Sequence, residues 1–188
     1  MKKFSILFVL GALLLTGCGV DMTTVLSNPE KDYYATGNWQ GWSAAEATKM
    51  TAVARGDDAV ATIKDQLKEA EFLYVYEGIV LSAEPAGWGS TYTRDGVDFT
   101  IDGNLTVKII RTALGDKDSV DYWIQSPESG AVSNLTPDTL FMPEFVPEAE
   151  AGTLGHSNSN PGAYEAGTYT LVYAALPTGH AMGLIKTA

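Results

Sequence analysis

Cysteine is almost missing from this chain. Among 188 residues only Cys18 is one, and histidine occurs only at His156 and His180. A lone thiol excludes an intrachain disulfide, a CxxC redox motif and a Cys-rich zinc site. The two histidines form no HExxH pair, and no GxSxG elbow occurs, so none of these catalytic signatures is present. Basic residues are scarce as well: 12 Lys and Arg face 23 Asp and Glu, for a net charge of −11. Such a chain repels nucleic-acid phosphates and anionic head groups, which argues against nucleic acid as a partner. No apolar run reaches the roughly 20 residues that a membrane-spanning helix needs. There is no internal repeat, and no cofactor motif is present, so no cofactor is expected.

The longest apolar run, residues 4–15, follows Lys2 and Lys3 and is broken only by Ser5 and Gly11. A basic start and a run of about a dozen apolar residues describe an export signal rather than part of a fold. The run ends in Leu15-Thr16-Gly17-Cys18. This resembles the lipobox of bacterial lipoproteins. The resemblance implies that residues 1–17 are removed and that Cys18 is lipidated, which anchors the chain to a membrane. Gly19 stands where Asp would favour retention at the inner membrane, so the resemblance points to the outer membrane or cell surface. Residues 18–30 then read as a lipidated polar tether ending near Asn28-Pro29, a turn signal. Residues 31–188 suit a single folded domain. With Cys18 acylated, that domain is left without a thiol.

The pattern along residues 31–188 is mainly that of strands. Residues 32–37 read as a strand running into a Gly-Asn turn. Ser43 and Glu46 have capping-box spacing, whereas residues 49–55 alternate like a strand, so this stretch is open between helix and strand. Asp57 or Asp58 can cap a helix over residues 59–70, with Val60, Ile63, Leu67 and Ala70 along one stripe. Residues 72–81 are aromatic and β-branched and predict a long strand. Residues 97–101 and 105–111 flank Asp102-Gly103-Asn104 and predict a hairpin. Residues 120–125 and 139–142 predict two further strands, the second an edge strand between Pro137 and Pro143. Residues 144–161 read as a long exposed loop. Residues 167–175 and 181–186 form the last pair, joined by Pro177-Thr178-Gly179. Seven or eight strands with one short helix predict a mostly β fold, an immunoglobulin-like antiparallel sandwich.

Candidate functional residues follow from side-chain chemistry. His156 and His180 read as surface-loop residues. Glu77 interrupts the apolar strand 72–81 and is expected to face solvent, with a buried acid as the other reading. Asp116, Asp118 and Asp121 are spaced like weak calcium ligands, but the central glycine and closing glutamate of a calcium loop are absent. An acidic turn between two strands is the preferred reading, and no metal is expected.

Tryptophan is the more informative residue. Trp39 and Trp42 lie in Gly37-Asn38-Trp39-Gln40-Gly41-Trp42, and Trp88 lies in Gly87-Trp88-Gly89, shortly before Tyr92. Rings between glycines have few local neighbours to bury them, and a flat ring with a polar handle suits contact with a ligand. The other reading is that they cap the core. Trp123, beside Tyr122, falls within a strand.

The segment from Tyr33 to Trp42 resembles the opening of the starch-binding domains of SusE/SusF-type outer-membrane lipoproteins. That resemblance implies an immunoglobulin-like sandwich, no catalysis, and glycan binding through Trp39 and Trp42. Trp88 and Tyr92 join them as ligand candidates on chemistry alone. The competing readings are a structural or protein-interaction envelope lipoprotein without a small ligand, and a carboxylate hydrolase whose two acids face each other across a cleft.

Overall fold

The computed structural model describes residues 20–37, 46–81, 90–94, 97–101, 107–125, 138–153 and 167–187. They form eleven strand segments: β1 (Lys31–Gly37), β2 (Thr48–Lys49), β3 (Thr51–Ala52), β4 (Phe72–Leu81), β5 (Ser90–Arg94), β6 (Val97–Ile101), β7 (Val107–Ala113), β8 (Asp116–Gln125), β9 (Glu144–Pro147), β10 (Gly167–Leu176) and β11 (Gly179–Lys186). One sheet runs β2-β1-β7-β8-β9 and the other β11-β10-β4-β5-β6, with β3 also on β4. The two antiparallel sheets pack as a β-sandwich, as the strand pattern predicts. Two strand segments, β2 and β3, are only two residues long.

Alternation along the strands builds the core. Tyr33 and Ala35 of β1, Ile109 of β7 and Ile124 of β8 meet Tyr74, Tyr76, Tyr169, Leu171, Tyr173, Met182 and Leu184 from the other sheet. The residues between them, Leu73, Val75, Val172, Ala174 and Ile185, face the opposite way and pack under the helix. That helix, Asp58–Leu67, is wound as a 3-10 helix rather than an α-helix. Its N-cap is Asp57, whose carboxylate accepts the Ala59 N–H at 2.9 Å. A ten-residue 3-10 run is unusually long. It still buries Val60, Ile63 and Leu67 of the expected stripe, together with Ala59, while Ala70, also buried, lies past its end.

Glu77 faces solvent because the strand bulges there. Tyr169 pairs with Ile79, but Leu171 pairs with Tyr76, so β4 carries one extra residue against β10. Gly78 supplies it at φ 85, the left-handed conformation that a bulge of this kind takes up with glycine. Glu77 and Gly78 are both exposed. The bulge returns Ile79 to the inner face, where it is fully buried.

Four expectations about strands and segments are corrected. Strands β6 and β7 do not form a hairpin: β6 pairs with β5, while β7 pairs with β1 and β8. The connection through residues 102–104, outside the described residues, therefore passes from one sheet to the other. Each arm carries an apolar face in its sequence, so alternation alone cannot choose the partner. Second, the expected loop 144–161 begins with strand β9, whose Val146 is buried, and continues into a short 3-10 helix, Glu148–Thr153. Third, within 139–142 only Phe141 pairs, in a single bridge to Met182 at the β11 edge.

The fourth concerns the tether. From residue 21 onward the chain is docked. The Arg55 guanidinium donates to the Asp21 carbonyl at 3.0 Å, and the Gly56 N–H donates to the Met22 carbonyl at 2.8 Å. Val25 bridges Ala54. Leu26 donates to Val53 and accepts from Leu73. The Asn28 N–H and side chain donate to the Tyr74 and Tyr33 hydroxyls. This strap, residues 21–28, adds a short antiparallel ribbon to the sandwich. Of the segment with capping-box spacing, only Glu46 lies within the described residues, and it occupies a turn.

Candidate functional site

Trp39, Trp42, Trp88, Cys18 and His156 lie outside the described residues. Tyr92 lies on β5, level with Leu81 of β4 and Phe99 of β6; its side chain is outside the description. Asp116, Asp118 and Asp121 lie within β8 rather than in a turn. The Asp118 N–H donates to the Asp116 carboxylate at 3.2 Å, and Asp121 is engaged elsewhere. Among the described residues, no group of three His, Cys, Asp or Glu side chains could hold a metal ion.

Asp121 belongs to a cluster at one end of the sandwich. Its carboxylate accepts from Lys31 Nζ at 2.7 Å and from Arg111 Nε and Nη2 at 3.0 Å. Burial opposes its ionisation, but the hydrogen bonds from Arg111 and Lys31 outweigh it and hold the carboxyl below its ordinary range. The Arg111 guanidinium sits 4.5 Å from the Tyr122 ring centre and 5.8 Å from that of Phe145. Phe145 in turn packs on His180, with ring centres 4.6 Å apart.

His180 is therefore not a surface-loop residue. It is the second residue of β11 and half-buried. Burial first, then the charge of Arg111, lowers its pKa. The neutral imidazole is the favoured form, lodged among aromatic rings and one tyrosine hydroxyl.

A second arrangement occupies the outer face of the five-stranded sheet. Tyr34 lies level with Ile110, Ile110 with Trp123, and Trp123 with Val146. This row of aromatic and aliphatic side chains crosses four strands. The Trp123 indole N–H donates to the Glu148 carboxylate at the start of the second 3-10 helix. Two residues along lies a polar row on the same face. Thr36 is level with Lys108, the same register brings Lys108 level with Gln125, and Gln125 is level with Glu144.

The polar row is enclosed. Thr36 is fully buried, Gln125 is 1 % exposed and Lys108 is 6 % exposed. Exposure rises only at Glu144, on the edge strand β9. Both amide atoms of Gln125, the Thr36 hydroxyl and one Glu144 carboxylate oxygen are buried without a hydrogen-bond partner. Each such group costs about 1–3 kcal/mol of desolvation. Four such atoms on three residues of one row, with Lys108 between Thr36 and Gln125, are more than the isolated exceptions native proteins tolerate.

Sequence reasoning picked out Trp123 only as a strand residue and missed the polar row altogether. The signal was present but faint. Lys108 falls inside an apolar strand, and Gln125 ends another, but nothing local shows that Thr36 and Glu144 stand beside them. In comparisons with protein-family models, with curated proteins and with solved structures, nothing matches the chain.

Proposed function

We propose that this protein is a non-catalytic, lipid-anchored surface protein that binds carbohydrate through aromatic side chains. The anchor is the lipobox-like Leu15-Thr16-Gly17-Cys18, with Cys18 as the acylated residue and the outer membrane as the site. The binding residues are Trp39, Trp42, Trp88 and Tyr92. The observation that carries the reading is the pairing of the aromatic row with unfilled polar groups beside it. A sugar ring needs a flat apolar contact and, around it, donors and acceptors for its hydroxyls. Trp123, half-buried, offers the first kind of surface, and the edge of the polar row at Glu144 offers the second, with Gln125 directly behind it. Trp39 follows Thr36 by three residues, so covalent geometry tethers it within about 11 Å of that row.

The opposed charges of Lys108 and Glu144 cancel within the row. Together with the net charge of −11, this favours neutral sugars over uronates or other anionic glycans. The test is a titration of the mature protein with maltoheptaose, cellohexaose, mannohexaose and polygalacturonate, followed by tryptophan fluorescence. Saturable change with a neutral oligosaccharide supports the reading. No change with any of them, and no retention on insoluble glucans, overturns it in favour of a protein-interaction role.

A further inference from the structure

The strap has a consequence for how the domain meets the membrane. Thirteen residues of free tether, 18–30, would let the domain wander about 40 Å from its anchor. The docked chain leaves no such slack. Asp21 is held by Arg55 and Met22 by Gly56, so only Gly19 and Val20 separate Cys18 from the fold. Three residue steps extend at most about 11 Å. An acyl chain on Cys18 would therefore hold the domain against the bilayer surface in one orientation.

The geometry points to the corner formed by residues 21–25 and 54–58 as the membrane-facing surface of the lipidated protein. Its occupant is the phospholipid head-group layer. This rests on the proposed acylation of Cys18; the docking of the strap does not.

Three observations support that corner. First, the contact between strap and corner is built for close approach. A Cβ on Gly56 would stand 2.7 Å from the Met22 carbonyl oxygen, so this position requires glycine or a displaced strap. Second, the corner lies at one end of the six-stranded sheet among the described residues. Residues 51–53 run antiparallel to β4 from Val75 toward Leu73, and residues 54–56 continue past the start of that strand. Third, of the four large apolar side chains exposed among the described residues, two are Val20 and Val25, at 47 % and 58 % exposed. Both belong to the short stretch next to the anchor, where apolar side chains can enter the interfacial layer.

The corner also carries Asp21, Asp57 and Asp58, so it has no attraction for anionic lipid by charge. The anchor holds it there, and the unlipidated domain is expected to stay off vesicles. The opposite end of the sandwich is then turned away from the membrane. The Thr187 N–H donates to the Thr168 carbonyl, and Thr168 is level with Val80 of β4. Six steps along β10, from Thr168 to Ala174, separate the level of Val80 from that of Leu73, about 20 Å.

The experiment uses the lipidated protein in vesicles of phosphatidylethanolamine and phosphatidylglycerol carrying head-group nitroxide lipid. Acylation blocks Cys18, so an introduced cysteine is the sole free thiol. A fluorophore is placed on Asp58→Cys or on Thr187→Cys. Quenching several-fold stronger at position 58 than at 187 is expected. Inserting a Gly-Ser segment as long as the strap between Val20 and Asp21 should abolish the difference. Equal quenching at both positions of the vesicle-bound, uninserted protein overturns the orientation and leaves the anchor intact. If the wild type gains no acyl mass and floats free of vesicles like the Cys18→Ala variant, the lipoprotein reading fails and the orientation with it.

Discussion

The Tyr173 hydroxyl lies 2.8 Å from His180 Nδ1, with the two rings 9° from parallel and their centres 5.7 Å apart. One residue comes from β10 and the other from β11, across the hairpin that joins these two strands. The contact places a titratable ring where its charged form is disfavoured. Burial and Arg111 lower the His180 pKa below 6.5, and burial raises that of Tyr173 well above its ordinary value.

The sign of the resulting pH dependence is definite. Below 6.5 the unfolded chain binds a proton at His180 that the folded chain resists. The stabilisation from the neutral ring is therefore complete above 6.5 and is lost as pH falls through the folded pKa. Urea denaturation at pH 7.5 and pH 5.5 should show lower stability at the lower pH. His180→Gln should flatten that slope. An unchanged slope would remove His180 as its source.

Asp121 neutralises two cations at the same end of the sandwich. Asp121→Ala strands Lys31 and Arg111, which are 30 % and 21 % exposed in their side chains. Because all three groups retain some solvent, the expected loss is about 1–2 kcal/mol, between the values for exposed and buried pairs. A double-mutant cycle with Arg111→Met should return a coupling of similar size. Additive effects would mean the pair contributes nothing beyond its separate packing.

Gln125 separates stability from function. Its amide is buried and unpartnered, so Gln125→Met, of similar volume and without the amide, should raise the melting temperature or leave it unchanged. If the polar row contacts sugar hydroxyls, the same variant should weaken neutral-oligosaccharide binding about tenfold, the value of one lost hydrogen bond to a buried partner. A stabilised variant with undiminished binding would confine recognition to the tryptophan segments.

Gly78 carries the bulge. At φ 85 a side chain meets no steric neighbour, so any cost is conformational rather than one of space. Gly78→Ala should lose about 1–2 kcal/mol through the left-handed backbone alone. A neutral result would mean that position 78 does not need glycine, while a loss well above about 2 kcal/mol would mean that β4 slips its register and Ile79 leaves the core.

How far these features were legible in the sequence differs from element to element. Strand β4 has the bounds that its aromatic and β-branched run predicts. Of the two caps the sequence offers, Asp57 and Asp58, the structure uses Asp57. Strands β10 and β11 pair across Pro177-Thr178-Gly179 because the connection is too short for any other arrangement. The candidate site was far less visible. Thr36, Lys108, Gln125 and Glu144 are separated by tens of residues and belong to four different strands, so no local pattern joins them. The strap was hidden for the same reason: Met22 meets Gly56 through backbone atoms, which every residue possesses.

The chain by itself determined that its domain is a thiol-poor, acidic β structure, and its alternation set Val107 and Ile109 of β7 on one face, the inner one. Side-chain alternation is a local property, carried by each strand whatever its neighbours. Tertiary structure alone decided which strands pair, and so sent β6 and β7 into different sheets. It also aligned four distant polar residues on one face and drew the segment after Cys18 onto the fold. Pairing depends on competition among all the apolar faces and backbone donors in the chain. That competition is settled only when the whole core is assembled.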